Sequence, residues 1–163
     1  MNLKTFTPKQ SLNKAYLKEK ISRSDIEIFK THFSDLLGKI NDKGDEEHLK
    51  SLIADFLKFT WYKDSHQINP IGKNDLVIHT GKSPNDPYGV ILEVKSPTNK
   101  NEMMSADKTN VKALHELILY YLDERITRSR NELKQLIVTN IYEWYIIDAN
   151  EFDKKIYRMP SSA

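Results

Sequence analysis

The chain has 163 residues, of which 39% are hydrophobic and 29% charged, as expected of one ordinary soluble domain. The formal net charge is only +2, so the overall balance does not require a polyanionic partner, although a local basic surface is possible. The absence of cysteine excludes disulfides, zinc–thiolate sites and cysteine nucleophiles, and it fits a reducing cytoplasm. No apolar run approaches the roughly 20 residues of a membrane span, and a signal-peptide core is absent. We therefore expect a cytoplasmic protein that does not enter a membrane.

Two helices are predicted in the first third of the chain. Ser24, with Glu27 three residues later, forms a capping-box pattern, and apolar residues at helical spacing follow it. A polar, glycine-containing segment ends this helix, and Asp45 is placed to cap a second helix from about Glu46 to Phe59. The apolar face of the second helix consists of Leu49, Leu52, Ile53 and Phe56.

The middle and the end of the chain read as strands around one more helix. "DLVIHTG" (75–81) and "YGVILEVKS" (88–96) flank a turn of Pro, Asn and Asp residues and predict an antiparallel hairpin. A helix from about Val111 to Arg125 follows, and "LKQLIVTN" (133–140) and "EWYIIDA" (143–149) predict two more strands. The order α-α-β-β-α-β-β predicts an α/β or α+β fold with a mixed sheet flanked by helices.

The second predicted strand carries two opposite charges in an apolar setting. Glu93 and Lys95 are two residues apart, so they share one face of the strand with Ile91. Charged side chains are rarely buried unless they are paired or bind a metal. A solvated ion pair on an exposed face is the ordinary explanation of such a pair, and a catalytic site is the alternative.

Two further carboxylates are candidates to join this pair. Asp75 opens the preceding strand, where an antiparallel partner would bring it alongside Glu93; it can also be a turn residue at the start of the strand. On the second helix, Glu46 falls about 50° from the centre of the apolar stripe and Glu47 about 150° from it. Glu46 is therefore expected to point toward the sheet and Glu47 toward water, although acidic residues in a first helical turn also stabilise the helix dipole.

Carboxylates that converge near a lysine have a chemical meaning. Asp and Glu oxygens suit Mg²⁺, which takes one or two protein carboxylates and keeps several waters. Such a metal generates hydroxide from bound water and stabilises charge on a phosphate under attack. Lys95, expected to be reached by solvent, would orient or deprotonate the water or offset charge in the transition state.

The ordered set of these segments resembles the PD-(D/E)XK nuclease superfamily. More narrowly, "EEHLKSLIADFLKFTWYKD", "NDLVIHTGK", "ILEVKSPTNKNEM", "KALHELILYYLDER" and "LIVTNIYEWYIIDA" resemble the N-terminal endonuclease region of type IIG restriction–modification enzymes, from about Ser11 to Ala149. Asn74 stands where the superfamily's name-giving proline would precede the aspartate, and no NPPY-type methylation motif follows. The resemblance implies a single nuclease-like domain over 1–163, with a core of about 11–149, tails at 1–10 and 150–163, and an origin in a longer protein.

The resemblance also implies a site and an activity. Asp75 and Glu93 would bind Mg²⁺, with Mn²⁺ as a substitute; Lys95 would assist the attacking water, and Glu46 would complete the site from the helix. The implied substrate is double-stranded DNA, with methyltransferase and target-recognition regions in the same full-length chain. Six basic residues flank the site in sequence and are candidates for phosphate contacts, although solvated surface positions are their default: Lys100, Lys108, Lys112, Arg125, Arg128 and Arg130. The alternatives are an inactive nuclease-like module that binds DNA or protein, and an interaction module in which the acidic cluster is incidental.

Overall fold

A computed structural model describes residues 5–42, 44–71 and 75–154, with the backbone alone for Ile71 and Asp75. These residues contain five α-helices, one short 3-10 helix, two π-helical turns and five strands, and the predicted mixed sheet flanked by helices is confirmed. The helices are α1 (Pro8–Ser11), α2 (Arg23–Lys39), α3 (Glu46–Leu57), α4 (Lys112–Leu122) and α5 (Ala149–Phe152). The strands are β1 (Ile68–Ile71), β2 (Asp75–His79), β3 (Tyr88–Val94), β4 (Gln135–Thr139) and β5 (Trp144–Asp148).

The five strands form one sheet in sequence order, from β1 at one edge to β5 at the other. Neighbouring strands are antiparallel except β3 and β4, which are parallel and joined by a crossover through α4. The sequence did not predict β1, because its core is Asn69-Pro70 and proline is depleted in strands. Proline is tolerated in an edge strand, where its missing N–H can face away from the ladder.

The predicted hairpin of β2 and β3 is confirmed, with the register that the sequence indicated. Asp75 pairs with Glu93, and Val77 pairs with Ile91. The parallel neighbour β4 places Val138 beside Glu93. β3 is therefore the central strand of the sheet, with a partner on each side.

Two apolar clusters cover the two faces of the sheet. On one face Val77, Ile91 and Val138 pack with Leu117 of α4 and with Met103 and Met104 from the segment before it, among others. On the other face Leu76, Leu92 and Val94 pack with Leu49 and Ile53 of α3, among others. Because alternate residues face opposite sides of a strand, Glu93 and Lys95 are on the α4 side with Ile91.

The N-cap of the first long helix lies two residues before the predicted one, so the prediction of Ser24 was wrong. α2 begins at Arg23, and Ser22, not Ser24, accepts the Asp25 N–H through its hydroxyl oxygen at 3.1 Å. The chain therefore offers two overlapping Ser-x-x-acid patterns, and the first of them is used. The prediction for α3 is confirmed, since the Asp45 carboxylate accepts the His48 N–H at 2.8 Å.

The C-terminal boundary of the core lies beyond the predicted one. α5 continues past residue 149, and Phe152 is fully buried in the α4-side cluster. Asp153 also accepts hydrogen bonds from Tyr121 and Arg125, each at 2.9 Å. Residues 150–153 therefore belong to the domain and not to a tail; residues 155–163 lie outside the described part. Among the helices of the described residues, none is both long and apolar enough to cross a membrane.

Candidate active site

Glu93 and Lys95 form a buried ion pair at the carboxyl end of the central strand. Both side chains have essentially no exposed surface, and the Lys95 ammonium contacts Glu93 Oε1. The Lys95 backbone N–H donates to the Thr139 carbonyl at 2.9 Å, which extends the parallel pairing beyond β3. A solvated pair on an exposed face is therefore excluded, and the expectation that solvent reaches Lys95 was wrong.

Two carboxylates that the sequence analysis did not single out complete the surroundings of Lys95. Glu116 of α4 accepts a hydrogen bond from Lys95 Nζ at 2.8 Å through Oε2, and Glu102 Oε2 lies 3.7 Å from the same nitrogen. Lys112 Nζ lies 3.3 Å from Glu102 and 3.8 Å from Glu116. We refer to Glu93, Lys95, Glu102, Lys112 and Glu116 as the Lys95 cluster.

The crossover accounts for the place of Glu116. A helix that follows a strand in a crossover begins near the carboxyl end of that strand and runs back along the sheet. The first turns of α4 therefore meet the end of β3, where Lys95 stands. The crossover topology could have indicated Glu116 from the sequence. The apolar stripe of α4 could not, because Glu116 is not part of it.

The cluster keeps Lys95 charged. Burial works to lower the pKa of the Lys95 ammonium, but the hydrogen bonds with Glu116 and Glu93 outweigh it and raise that pKa above its usual range. Burial likewise works to raise the pKa of Glu116, but the hydrogen bond from Lys95 and the positive charges of Lys95 and Lys112 produce a net lowering. A lysine held as an ammonium can orient water and offset negative charge, but it cannot deprotonate the water.

Glu46 and Glu47 point in the directions that helical geometry predicted. Glu46 Oε1 accepts the backbone N–H of Ser96 at 3.3 Å, so this side chain reaches the end of β3 from α3. Glu47 is 61% exposed and pairs with Lys50 of its own helix. Glu46 is thus the carboxylate of the two that lies beside the strand bearing Glu93 and Lys95.

Asp75 is in register with Glu93, and only its backbone is described. Residues that are directly opposite in an antiparallel pair occupy the same face of the sheet. The position of Asp75 is therefore on the α4 face, beside Glu93. The side chain of Asp75 lies outside the described residues, as does Asn74.

The donor chemistry of this region fits a hard divalent cation. Carboxylate oxygens are the ligands that Mg²⁺ and Mn²⁺ prefer, and Mg²⁺ needs only one or two of them from the protein. Glu93 supplies a buried carboxylate, and Asp75 is its cross-strand partner. Among the side chains that the structure describes, no three His, Asp or Glu groups converge as a metal site. That Asp75 and Glu93 hold the cation stays a prediction, since the side chain of Asp75 is not among the described ones.

Five of the six candidate phosphate-binding residues fall into two groups in the structure, and the sixth, Lys100, is an exposed residue between β3 and α4. Lys112 is in the Lys95 cluster, and Lys108 donates to the Asn101 carbonyl at 3.1 Å in the segment leading to α4. Three arginines follow the far end of α4 and are engaged with acidic groups: Arg125 with Asp153, Arg128 with Asp123 and Glu124, and Arg130 with Glu124. Because Arg128 also lies over the ring of Tyr88, the first residue of β3, these arginines flank the opposite end of the strand from Lys95.

The loop after β4 lies at the same end of the sheet and contains a strained residue. Ile141 has φ 75°, a left-handed conformation that is costly for a β-branched residue. Its N–H donates to Thr139 Oγ1 at 3.0 Å, and its carbonyl accepts from Trp144 Nε1 at 2.8 Å. These bonds hold the loop in place beside the strand ends.

Comparison with known proteins identifies the family of this chain without assigning it an activity. Searches of curated proteins and of solved structures found no match to the chain. A family described as a domain of unknown function (DUF7149) matches residues 6–161. This match covers almost the whole sequence, including every element of the sheet. The chain therefore belongs to the DUF7149 family.

Proposed function

We propose that this chain is a metal-dependent endonuclease domain that hydrolyses phosphodiester bonds in double-stranded DNA. The observation that supports it best is the buried Glu93–Lys95 pair on the central strand, with Asp75 as the cross-strand partner of Glu93. A desolvated carboxylate and ammonium carry a stability cost that apolar residues of the same size would not. A catalytic requirement is a physical reason to keep them.

The residues have distinct roles in this proposal. Asp75 and Glu93 hold Mg²⁺ or Mn²⁺, which when bound supplies an activated water and neutralises charge on the phosphate. Lys95 remains an ammonium and donates to the attacking water or to a phosphate oxygen as negative charge develops. Glu46, at the Ser96 N–H, orients solvent at the open end of the strand.

The domain acts within a larger protein. By its resemblance to type IIG enzymes, it is the cleavage module of a longer cytoplasmic restriction–modification protein. Methyltransferase and target-recognition regions in that protein would choose the DNA sequence. Lys112, which belongs to the Lys95 cluster and is 53% exposed, is available for phosphate contact, which gives affinity without sequence information.

A second candidate function is a nuclease-like module without catalytic activity that binds DNA or protein. The full burial of Glu93 and Lys95 favours it, because the attacking water and the phosphate must reach these groups for cleavage. In this alternative the Glu93–Lys95 pair is a structural feature of the core. Replacing the pair then changes the stability of the fold, and there is no cleavage activity to lose.

Nicking of supercoiled plasmid DNA separates the two. The whole chain with Mg²⁺ or Mn²⁺ is expected to convert supercoiled plasmid to open circles, and D75N and E93Q are each expected to lose at least about 10²-fold in rate. E124Q is the matched control, because Glu124 is also a buried carboxylate but lies beyond the far end of α4, and it should nick at the wild-type rate. If the folded wild-type chain binds DNA and leaves it intact with either metal, the inactive module is the correct reading.

A further inference from the structure

Lys95 Nζ has carboxylate neighbours from three separate segments of the chain. Glu93 belongs to its own strand, Glu102 to the segment after it, and Glu116 to α4. A single carboxylate would suffice to neutralise one ammonium. The additional carboxylates therefore call for an explanation beyond the pairing of Lys95 with Glu93.

The Lys95 ammonium occupies the Glu93 carboxylate, which is the group that a metal would use. Lys95 contacts Glu93 Oε1 directly, and a divalent cation on this carboxylate would be in close contact with a like charge. Repulsion between cations is strong where water is excluded. Lys95 must therefore withdraw from Glu93 before the carboxylate can bind a cation, and a buried ammonium left without a partner is strongly unfavourable.

Glu116 is placed to receive the withdrawn ammonium. Its Oε2 already accepts from Lys95 Nζ at 2.8 Å, whereas Glu102 is farther away at 3.7 Å. Glu116 is also the more buried of the two, with 24% of its side chain exposed against 32% for Glu102. Lys112 Nζ is closer to Glu102, at 3.3 Å, than to Glu116, at 3.8 Å. Lys112 therefore neutralises Glu116 less than Glu102, and Glu116 attracts the Lys95 ammonium more strongly.

We propose that Glu116 is a positioning residue that retains the Lys95 ammonium when a divalent cation displaces it from Glu93. Without a cation, Lys95 neutralises Glu93 and keeps the buried strand end electrically satisfied. With a cation, Lys95 is held by Glu116 beside the metal, where it meets the water or the phosphate. This inference rests on the proposed metal-dependent function and gives a role in the site to Glu116, to which the resemblance assigned none.

A thermodynamic cycle on metal binding tests the exchange. Mn²⁺ affinity is measured by calorimetry for the wild type, E116Q, K95M and the double variant, with folding of each checked by circular dichroism. E116Q should weaken binding by about tenfold or more, the scale of one hydrogen bond to a charged group, because Lys95 then stays on Glu93. K95M should tighten binding, because the competing ammonium is gone, and E116Q should change affinity by less than about threefold in the K95M background.

E124Q serves as the control variant for the affinity measurements. E124Q removes a buried carboxylate near the other end of α4 and should leave Mn²⁺ affinity unchanged. If E116Q weakens binding equally with and without Lys95, Glu116 is a metal ligand and the exchange is wrong. If E116Q has no effect in either background, Glu116 has no part in the site. If neither the wild type nor K95M binds Mn²⁺, the proposed function fails along with the inference.

The wild-type fold also permits a direct measurement that does not depend on K95M. Lysine ammonium groups labelled with ¹⁵N are followed by NMR during titration with Mg²⁺, and the Lys95 signal is identified by its loss in K95R. In the wild type this signal should shift and remain protected from exchange with water, because Glu116 still holds the ammonium. In E116Q the same titration should broaden it. An unchanged Lys95 signal at saturating Mg²⁺ would contradict the exchange.

Discussion

At the scale of single residues, the main feature is the full burial of Glu93 and Lys95. The sequence indicated that they share a face, since that follows from the period of a strand. It could not give their burial, because this depends on α4 and on the segment with Met103 and Met104 that packs over the same face. The pair is therefore desolvated. A surface ion pair stabilises a fold slightly, whereas the desolvation cost of a buried pair can exceed the attraction between its charges.

Replacing one or both members of this pair should have opposite effects on stability. K95M alone should lower the free energy of unfolding by about 3–5 kcal/mol, because it leaves the Glu93 carboxylate buried without its cation. The double variant E93L/K95M should recover most of this loss and can exceed the wild type by about 1–4 kcal/mol, because Glu102 and Glu116 are partly exposed and can turn to water. Urea unfolding in a metal-free buffer measures both. A double variant as unstable as K95M would show that the pair is not the source of the cost.

At the scale of elements, the start of α2 shows how a local pattern is chosen. Ser22 and Ser24 each precede an acidic residue by three positions, and the sequence alone does not rank them. In the structure Ser22 has extended backbone angles and accepts the Asp25 N–H, and its hydroxyl also donates to the Asp25 carboxylate at 2.6 Å. The two hydrogen bonds between these residues favour the earlier start.

The two serines should therefore respond differently to the same substitution. S22A should destabilise the first turn of α2 by about 1 kcal/mol, which is typical for the loss of an N-cap, whereas S24A should have little effect. Amide hydrogen exchange at Asp25 is the appropriate measurement, because most residues of α2 are exposed and its first turn can open locally without global unfolding. Equal acceleration of exchange in both variants would contradict the assignment of the cap to Ser22 alone.

The turn after α4 gives a dependence of stability on pH. Burial raises the pKa of Glu124 above its ordinary value of 4.5, and the nearby Arg128 and Arg130 only partly offset this. The folded protein therefore binds this proton more tightly than the unfolded chain, so this group adds stability as the pH falls through its folded pKa. The gain levels off once the pH is below 4.5, where the unfolded chain is protonated as well.

E124Q should remove this pH dependence, because glutamine stays neutral throughout. The free energy of unfolding of the wild type, minus that of E124Q, should increase as the pH is lowered from 7 toward about 4.5. Groups common to both proteins cancel in this difference. A difference that is constant, or that decreases toward acid, would show that the arginines hold Glu124 ionised in the folded protein.

At the scale of the whole molecule, local patterns predicted more than long-range ones. The hairpin register that pairs Asp75 with Glu93 could be read from two alternating strands and a turn, and the orientation of Glu46 from one apolar stripe. Glu116 and Glu102 escaped prediction because they reach Lys95 only through the crossover and its docking. Phe152 escaped for a similar reason, since its burial depends on α4 and not on its own neighbours.

The parallel pairing of β3 and β4 also orders the events of folding. The hairpins β2–β3 and β4–β5 can form from local contacts. The pairing of β3 with β4 requires the crossover through α4 to close a long loop, and such non-local contacts form slowly. Lys95 bonds to Thr139 across this junction, and Glu116 lies on the crossover itself. Glu93 and Lys95 therefore stay hydrated at the end of the separate β2–β3 hairpin and lose their water when the crossover and β4 dock beside β3. The buried environment of Lys95 is therefore complete only after β4 has paired with β3, and a chain still emerging from the ribosome lacks that environment until the residues of β4 have been made.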